Sequence, residues 1–192
     1  MARALTSLEA IVVVDEDESL ITLALERPEA FGQLYQRHVT SVYRYVRSRT
    51  ASDEEAADVT QSVFIKAMAS LHRFRPGSPF TAWLFRIARN ASTDAYRRRR
   101  KTVGLEGLPE PVLESLADSP EDVAIKQERL RRLRGLVAGL DTEKQELLAL
   151  RFGSGLTLRE IAGVVGKREG AIKKQMSRVM AALKEQYFAQ PD

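Results

Sequence analysis

The sequence contains no cysteine, which excludes disulfide bonds, thiolate metal sites and cysteine nucleophiles. Histidine is nearly absent as well. His38 and His72 are the only two, and they form no HExxH or related zinc-enzyme spacing. No long apolar run begins the chain: residues 11–14 are the longest near the N-terminus, where a membrane span takes about 20 residues. The first residues also lack the charged-then-apolar design of a signal peptide. These absences predict a cytoplasmic protein with no membrane insertion. Period-two alternation is missing too, so nothing in the chain reads as a β-strand.

What is present is helical and unevenly charged. Net charge is only +4, yet residues 1–30 hold seven acids against two bases, while residues 72–101 hold nine Lys/Arg against the single acid Asp94. An asymmetry of this kind fits a localised anionic partner, or else a solvated basic helix face. From Glu18 to about Arg100, apolar residues recur at helical spacing, broken at Pro28, around Ser52 and Asp53, and over residues 75–79. The predicted core there is Phe31, Leu34, Tyr35, Val42, Tyr43, Val46, Val59, Phe64, Ile65, Leu71, Leu84, Phe85 and Ile87.

Residues 102–120 bring together three prolines, two glycines and the acids Glu106, Glu110, Glu114 and Asp118, the composition of a linker. Helix signals resume with Ser119 as a cap, a first-turn proline and two acids at the positive end of the helix dipole. Leu130, Leu133, Val137 and Leu140 then share a face. Asp141 caps a short helix with Leu147, Leu148, Leu150 and Phe152. The expected organisation is therefore an N-terminal extension (1–17), a helical module (18–101), a flexible linker (102–119) and a second helical module (120–192).

The most specific pattern lies in that second module. Thr157 and Glu160 are spaced as a capping box. The short helix that follows turns Leu158, Ile161, Ala162 and Val165 inward, and Gly166 is placed to end it with a positive φ. After the Lys167-Arg168 turn comes a longer helix, from about Glu169 to Tyr187, with Ile172, Met176, Val179, Met180 and Leu183 as its buried stripe. This is the length and pattern of a helix-turn-helix, whose second helix enters the DNA major groove. The outward side of that helix carries Lys173, Lys174, Gln175, Ser177 and Arg178, residue types that bond phosphates and base edges.

On these residues the chain resembles a known family. LTLREIAGVVGKREGAIKKQMSRVMAAL (156–183), with GLDTEKQELLALRF (139–152) ahead of it, resembles the C-terminal DNA-binding domain of bacterial sigma factors. AFGQLYQRHVTSVYRYV (30–46), DEEAADVTQSVFIKA (53–67) and FRPGSPFTAWLFRIARNASTDAYRRRR (74–100) resemble successive parts of the sigma domain that binds the polymerase and opens DNA. Order, spacing and linker length are similar to the small two-domain class, the extracytoplasmic-function sigma factors, and the likeness covers residues 18–188.

The resemblance implies an all-α protein with a region 2-like bundle and a region 4-like helix-turn-helix. Its implied partners are core RNA polymerase and promoter DNA, with room for an anti-sigma factor, and it implies no catalysis, cofactor or metal. Asp58, Gln61 and Phe64 match an Asp-x-x-Gln-x-x-Phe pattern that contacts the polymerase clamp, although Phe64 reads equally as core. Arg75, Ser78, Phe80, Trp83, Arg86, Arg89, Asn90, Arg97 and Arg98 fall in the stretch that recognises and opens the minus-ten element. There loop 75–81 is implied to capture a flipped base, with Asn90 beside it. Trp83 reads as a stacking platform or a buried residue, and Arg97 to Lys101 as a phosphate track or a solvated helix end. Arg168, Lys173, Lys174, Ser177 and Arg178 are the implied contacts to the minus-thirty-five element. The linker is implied to thread through the polymerase, or to serve as a plain tether.

This chain departs from the family in its turn, where Lys167, Arg168 and Glu169 replace apolar residues and a proline. Ala171 and Lys174 replace a common threonine and a small polar residue. The alternative reading is a stand-alone helix-turn-helix regulator, but residues 30–100 offer neither the pocket nor the strand pattern of its usual second domain. A nucleic-acid enzyme would need clustered metal-binding carboxylates; Asp53, Glu54, Glu55 and Asp58 do cluster, without any phosphate-binding loop.

Overall fold

The computed structural model describes residues 16–103 and 120–189. Within them the chain is helical, without strands. Helices α1 (Glu16–Glu26), α2 (Phe31–Arg47), α3 (Asp53–Ser70) and α4 (Phe80–Val103) form the first module. Helices α5 (Pro120–Ala138), α6 (Thr142–Leu148), α7 (Leu158–Val165) and α8 (Glu169–Ala189) form the second. The predicted linker is outside the described residues apart from its first two positions, which continue α4; the Ser119 cap and the side chains of Arg100 and Lys101 are outside them too. Of the predicted N-terminal extension, only Glu16 and Asp17 are described, and they open α1.

In the first module, α2, α3 and α4 enclose Leu34, Val42, Val46, Val63, Leu84 and Phe85. Small residues on the facing surfaces, Ala56 and Ala67 on α3 with Ala88, Ala91 and Ala95 on α4, let these helices approach closely. Ser52 starts α3 by accepting from the Glu55 backbone N–H at 3.1 Å, and the acids Asp53, Glu54 and Glu55 follow at the dipole's positive end. Helix α1 is held by a buried acid: Asp17 lies 2.9 Å from His38 Nε2 and accepts from Arg37 at 3.0 Å. Burial pushes the Asp17 carboxyl up, but these two partners outweigh it and leave it below the ordinary aspartate range.

The second module follows its capping signals. Asp141 accepts from the Lys144 backbone at 2.9 Å. The Gln145 amide donates to the carbonyls of Val137, Ala138 and Leu140, capping the C-terminal end of α5. Thr157 and Glu160 form both halves of the capping box, and Gly166 ends α7 at φ 73°. Thr157→Ala is expected to lower the unfolding free energy by about 1 kcal/mol, read by thermal or urea unfolding. Burial works to raise the Glu160 carboxyl, while hydrogen bonds from Thr81 and Thr157 more than offset this, so it sits below its ordinary value of 4.5. A carboxyl depressed by folding contributes stability fully above pH 4.5 and loses it as pH falls through the lower folded value. Acid unfolding should therefore become shallower below pH 4.5 in Glu160→Gln, and an unchanged profile would remove Glu160 from this titration.

Three apolar expectations are corrected. Tyr35, Ile65 and Met180 were expected in the core and are exposed, Ile65 at 61%. Phe152, also 61% exposed, lies in a wide five-residue turn, Ala149–Gly153, that follows α6. Val164 goes the other way. It is buried because α7 packs against α8 on one side and against α4 of the first module on the other.

The two modules meet along that second side. Ala82 of α4 faces Gly163 of α7 so closely that a Cβ on Gly163 would stand 3.2 Å from the Ala82 Cβ. Arg86 donates to the Gly163 carbonyl at 2.7 Å, and the Thr81 hydroxyl donates to Glu160. Glu146, only 6% exposed, accepts from Arg89 at 2.8 Å and from the Tyr45 hydroxyl at 3.2 Å. Burial is the main cause that pushes the Tyr45 hydroxyl up, so it remains a donor.

Candidate nucleic-acid interface

Helix α8 buries Ile172, Met176, Val179 and Leu183 and turns Lys173, Lys174, Ser177 and Arg178 to solvent. Their spacing puts the four on one side of the helix, which makes a cationic strip about a turn and a half long. Arg168, just ahead of α8, is exposed as well. Gln175 differs: its amide donates to Glu143 at 3.0 Å, and Glu143 also pairs with Lys167. Those contacts tie α8 to α6 and keep Gln175 for structure.

A second basic surface runs along α4. Asn90, Arg97 and Arg98 are exposed there, and Arg86, Asn90 and Arg97 recur at whole-turn intervals. Arg99 is drawn aside by Glu55 at 3.4 Å and by the Tyr96 ring. Loop 75–79 in front of α4 is exposed at Arg75, Pro76, Gly77 and Ser78. It is a shaped turn: Ser78 donates its hydroxyl to the Arg75 carbonyl at 2.7 Å, and Gly77 takes φ 82°, a conformation that favours glycine.

Beneath the turn sits an aromatic cluster. Phe80 is fully buried, with its ring 5.7 Å from Phe74, 5.5 Å from Trp83 and 5.4 Å from His38. Phe80 therefore belongs to the support of the loop rather than to a solvent-facing surface. Trp83 is half-buried and packs edge-on against Phe74, which leaves part of the indole open beside the turn. Arg86 and Arg89, implied to lie in the same DNA-facing set, are both engaged by the second module.

On α3, Asp58 and Gln61 are exposed. Phe64 is 5% exposed, edge-on to Phe31 and to Tyr35 at 4.8 Å, and supports the helix from inside. Ile65 and Met68, 61% and 48% exposed, continue the stripe of Asp58 and Gln61 at spacings of three and four residues. Reasoning from the sequence missed this pair, because the same spacing that reveals the stripe also reads as a core face. Asp53 and Glu55 of the acidic cluster are committed to Arg47 and Arg99, and among the described residues no three His, Cys, Asp or Glu side chains group as a metal site.

Comparison with known proteins agrees with this geometry. Residues 34–102 match Sigma-70 region 2 and residues 136–185 match Sigma-70, region 4. The chain is 34% identical over 177 residues to the ECF RNA polymerase sigma factor BldN of Streptomyces coelicolor, a match covering 88% of this chain and 66% of that protein. It is 32% identical to the RNA polymerase sigma factor CnrH of Cupriavidus metallidurans, over 80% of this chain and 84% of CnrH. With the ECF sigma factor SigD of Mycobacterium tuberculosis the identity is 34%, over 79% of this chain and 74% of SigD. The solved structure of CnrH in complex with the cytosolic domain of CnrY superposes with a TM-score of 0.67 at 30% identity, covering 91% of this chain and 99% of that one. Among the described residues no helix is long and apolar enough to cross a membrane. With both regions matched in order and relatives aligned over most of their length, the chain belongs to the ECF (extracytoplasmic-function) RNA polymerase sigma factors.

Proposed function

We propose that this chain acts in the cytoplasm by carrying core RNA polymerase to promoters and opening the DNA there, without catalysing a covalent step itself. The observation that carries the reading is the order of two sigma regions, the second presenting the exposed cations of α8 on a capped helix-turn-helix. A stand-alone regulator is not favoured, since it has no use for region 2.

Each surface has a task. Asp58 and Gln61, with Ile65 and Met68 continuing their stripe, dock on the polymerase. Loop 75–81 and α4 take the minus-ten element, with cations along the phosphates and Asn90 beside an unstacked base. Helix α8 reads the minus-thirty-five element in the major groove. Binding free energy, not bond chemistry, does the work of placement and strand separation. CnrH was solved with the cytosolic domain of CnrY, and an anti-sigma factor is proposed as a further partner of this chain.

The test is co-purification with core polymerase followed by run-off transcription on a promoter library. Transcripts dependent on the added chain are expected, and a chain that neither binds core enzyme nor directs a transcript would overturn the reading. Within it, Arg178→Ala is expected either to relax base preference at one position by about 1–3 kcal/mol or to reduce the salt slope of binding by about one. Binding measurements across salt concentrations and base substitutions separate the two, and a variant that changes neither has no DNA contact to lose.

A further inference from the structure

Turn 75–79 stands on two aromatic feet. Phe74 leads into it and Phe80 leads out; both rings are buried, with centroids 5.7 Å apart. Trp83, the only tryptophan of the chain, leans on both, 5.6 Å from Phe74 and 5.5 Å from Phe80. The placement of the turn therefore depends on whatever fixes these rings from beneath. His38 of α2 meets Phe80, with ring centroids 5.4 Å apart. Helix α1 packs against the single helical turn Leu71–Arg73, which delivers Phe74.

His38 is itself held by an acid inside the module. Asp17 and His38 are 6% and 7% exposed, and the Asp17 carboxylate lies 2.9 Å from Nε2. Asp17 stays ionised at neutral pH in spite of its burial, and a carboxylate only accepts, so Nε2 carries the proton. The hydrogen bond thus fixes the tautomer and orients the imidazole against Phe80. Attachment of α1 does not by itself call for an acid. Asp17, Ile21 and Ala24 share one face of that helix, and the last two are buried apolar residues. A buried ion pair contributes little net stability over apolar packing of similar volume. What a charged, directional partner adds is the orientation of the ring it meets.

We propose that Asp17 and His38 are positioning residues for strand opening. The carboxylate brought by α1 orients the imidazole, the imidazole seats Phe80, and Phe80 with Phe74 and Trp83 sets the turn that captures an unstacked base. This role rests on the sigma-factor reading given above, and extends it from the exposed turn to the residues buried beneath. Binding sites tolerate displacements of only about 0.5 Å, and that precision is supplied by the side chains behind those that touch the ligand.

The test compares the parent chain with Asp17→Ala, Asp17→Asn and Ile21→Ala, each as holoenzyme on a promoter at equal occupancy, by permanganate reactivity of thymines. Asp17→Ala should lower reactivity about tenfold, the scale of one lost hydrogen bond to a charged group. The variant is expected to fold, because Arg37, its side chain 39% exposed, stays within reach of water. Asp17→Asn, whose amide carbonyl still accepts from Nε2, should keep most of the parental reactivity. Ile21→Ala weakens the docking of α1 but leaves the Asp17–His38 bond in place, so it should lower the unfolding temperature and preserve opening. Parental reactivity in Asp17→Ala overturns the role, as does an asparagine variant as poor as the alanine one. An equal loss in Ile21→Ala overturns it too, since Asp17 would then only fasten α1.

Trp83 gives a second readout in the free chain, without polymerase. In Asp17→Ala its emission should shift to the red and be quenched more strongly by acrylamide, and in Ile21→Ala it should not. If the parent chain opens no promoter while this shift appears, the sigma-factor reading fails and the seating of the floor by Asp17 and His38 stands. Absence of the shift overturns that seating, whatever the promoter assay gives.

Discussion

Replacing Asp58 and Gln61 together with alanine is expected to lower affinity for core RNA polymerase about a hundredfold while leaving the unfolding temperature unchanged. Both side chains are exposed on α3, so removing them opens no cavity. A hydrogen bond to a charged group contributes about 1.5–3 kcal/mol and a neutral one about 1 kcal/mol, and their sum corresponds to roughly two decades of affinity. Ile65→Asp, placed on the same stripe, should weaken binding further by putting a charge where an apolar side chain meets the partner. Phe64→Ala should behave differently. Its buried ring touches Phe31 and Tyr35, so truncation should cost about 3–5 kcal/mol of stability and reduce binding only through unfolding. Titration of labelled core enzyme, paired with thermal unfolding of each variant, separates these outcomes. A folded Asp58→Ala/Gln61→Ala chain with undiminished affinity would move the docking surface elsewhere on the first module.

The contrast between Phe64 and Ile65 shows how far the sequence could be read. The helix-turn-helix was legible almost residue by residue, because its signals are local. Thr157 and Glu160 satisfy each other's neighbouring amides within one turn, and Gly166 supplies the positive φ that ends α7. Helical spacing also finds the stripe Ile172, Met176, Val179 and Leu183, yet it enrols Met180, which stands at the edge of that stripe and is exposed. Periodicity identifies an apolar face without saying what covers it. On α3 it joined Phe64, Ile65 and the rest in one expected core, although one side packs against α2 and α4 and the other meets solvent. The junction between the modules left no local trace. Gly163 reads as an ordinary small residue in a short helix, Glu146 as one acid of a polar helix, and Val164 as a position between two apolar ones. Their roles arise from Ala82, Arg89 and Tyr45, which are far away in the chain and near only once both modules are docked.

Asn90→Ala and a shortened loop 75–81 are expected to abolish strand opening while preserving binding to core enzyme and to upstream DNA. Opening requires a path for the phosphates and a place for an unstacked base, and the first module offers both within a short distance along the chain. Arg97 and Arg98 extend the cationic track past Asn90. The turn at Arg75 to Ser78 is held by its own hydrogen bond and by the left-handed Gly77, over a floor of Phe74, Phe80 and Trp83. Because that floor belongs to the core, shortening the exposed turn removes the rim of the proposed base site without emptying the module. Asn90 is exposed and its amide carries both a donor and an acceptor for a base edge, so alanine there removes recognition at little cost in stability. Unstacking a base costs a few kcal/mol; losing the capture contacts leaves that cost uncompensated and shifts the complex back to paired DNA. Permanganate reactivity of thymines in the holoenzyme–promoter complex reads this directly. Reactive thymines with the parent chain and protected ones with both variants are expected, at equal occupancy of the upstream element. If both variants keep parental reactivity, the opening step is carried by another part of α4, and the loop over the aromatic floor has a purely structural task.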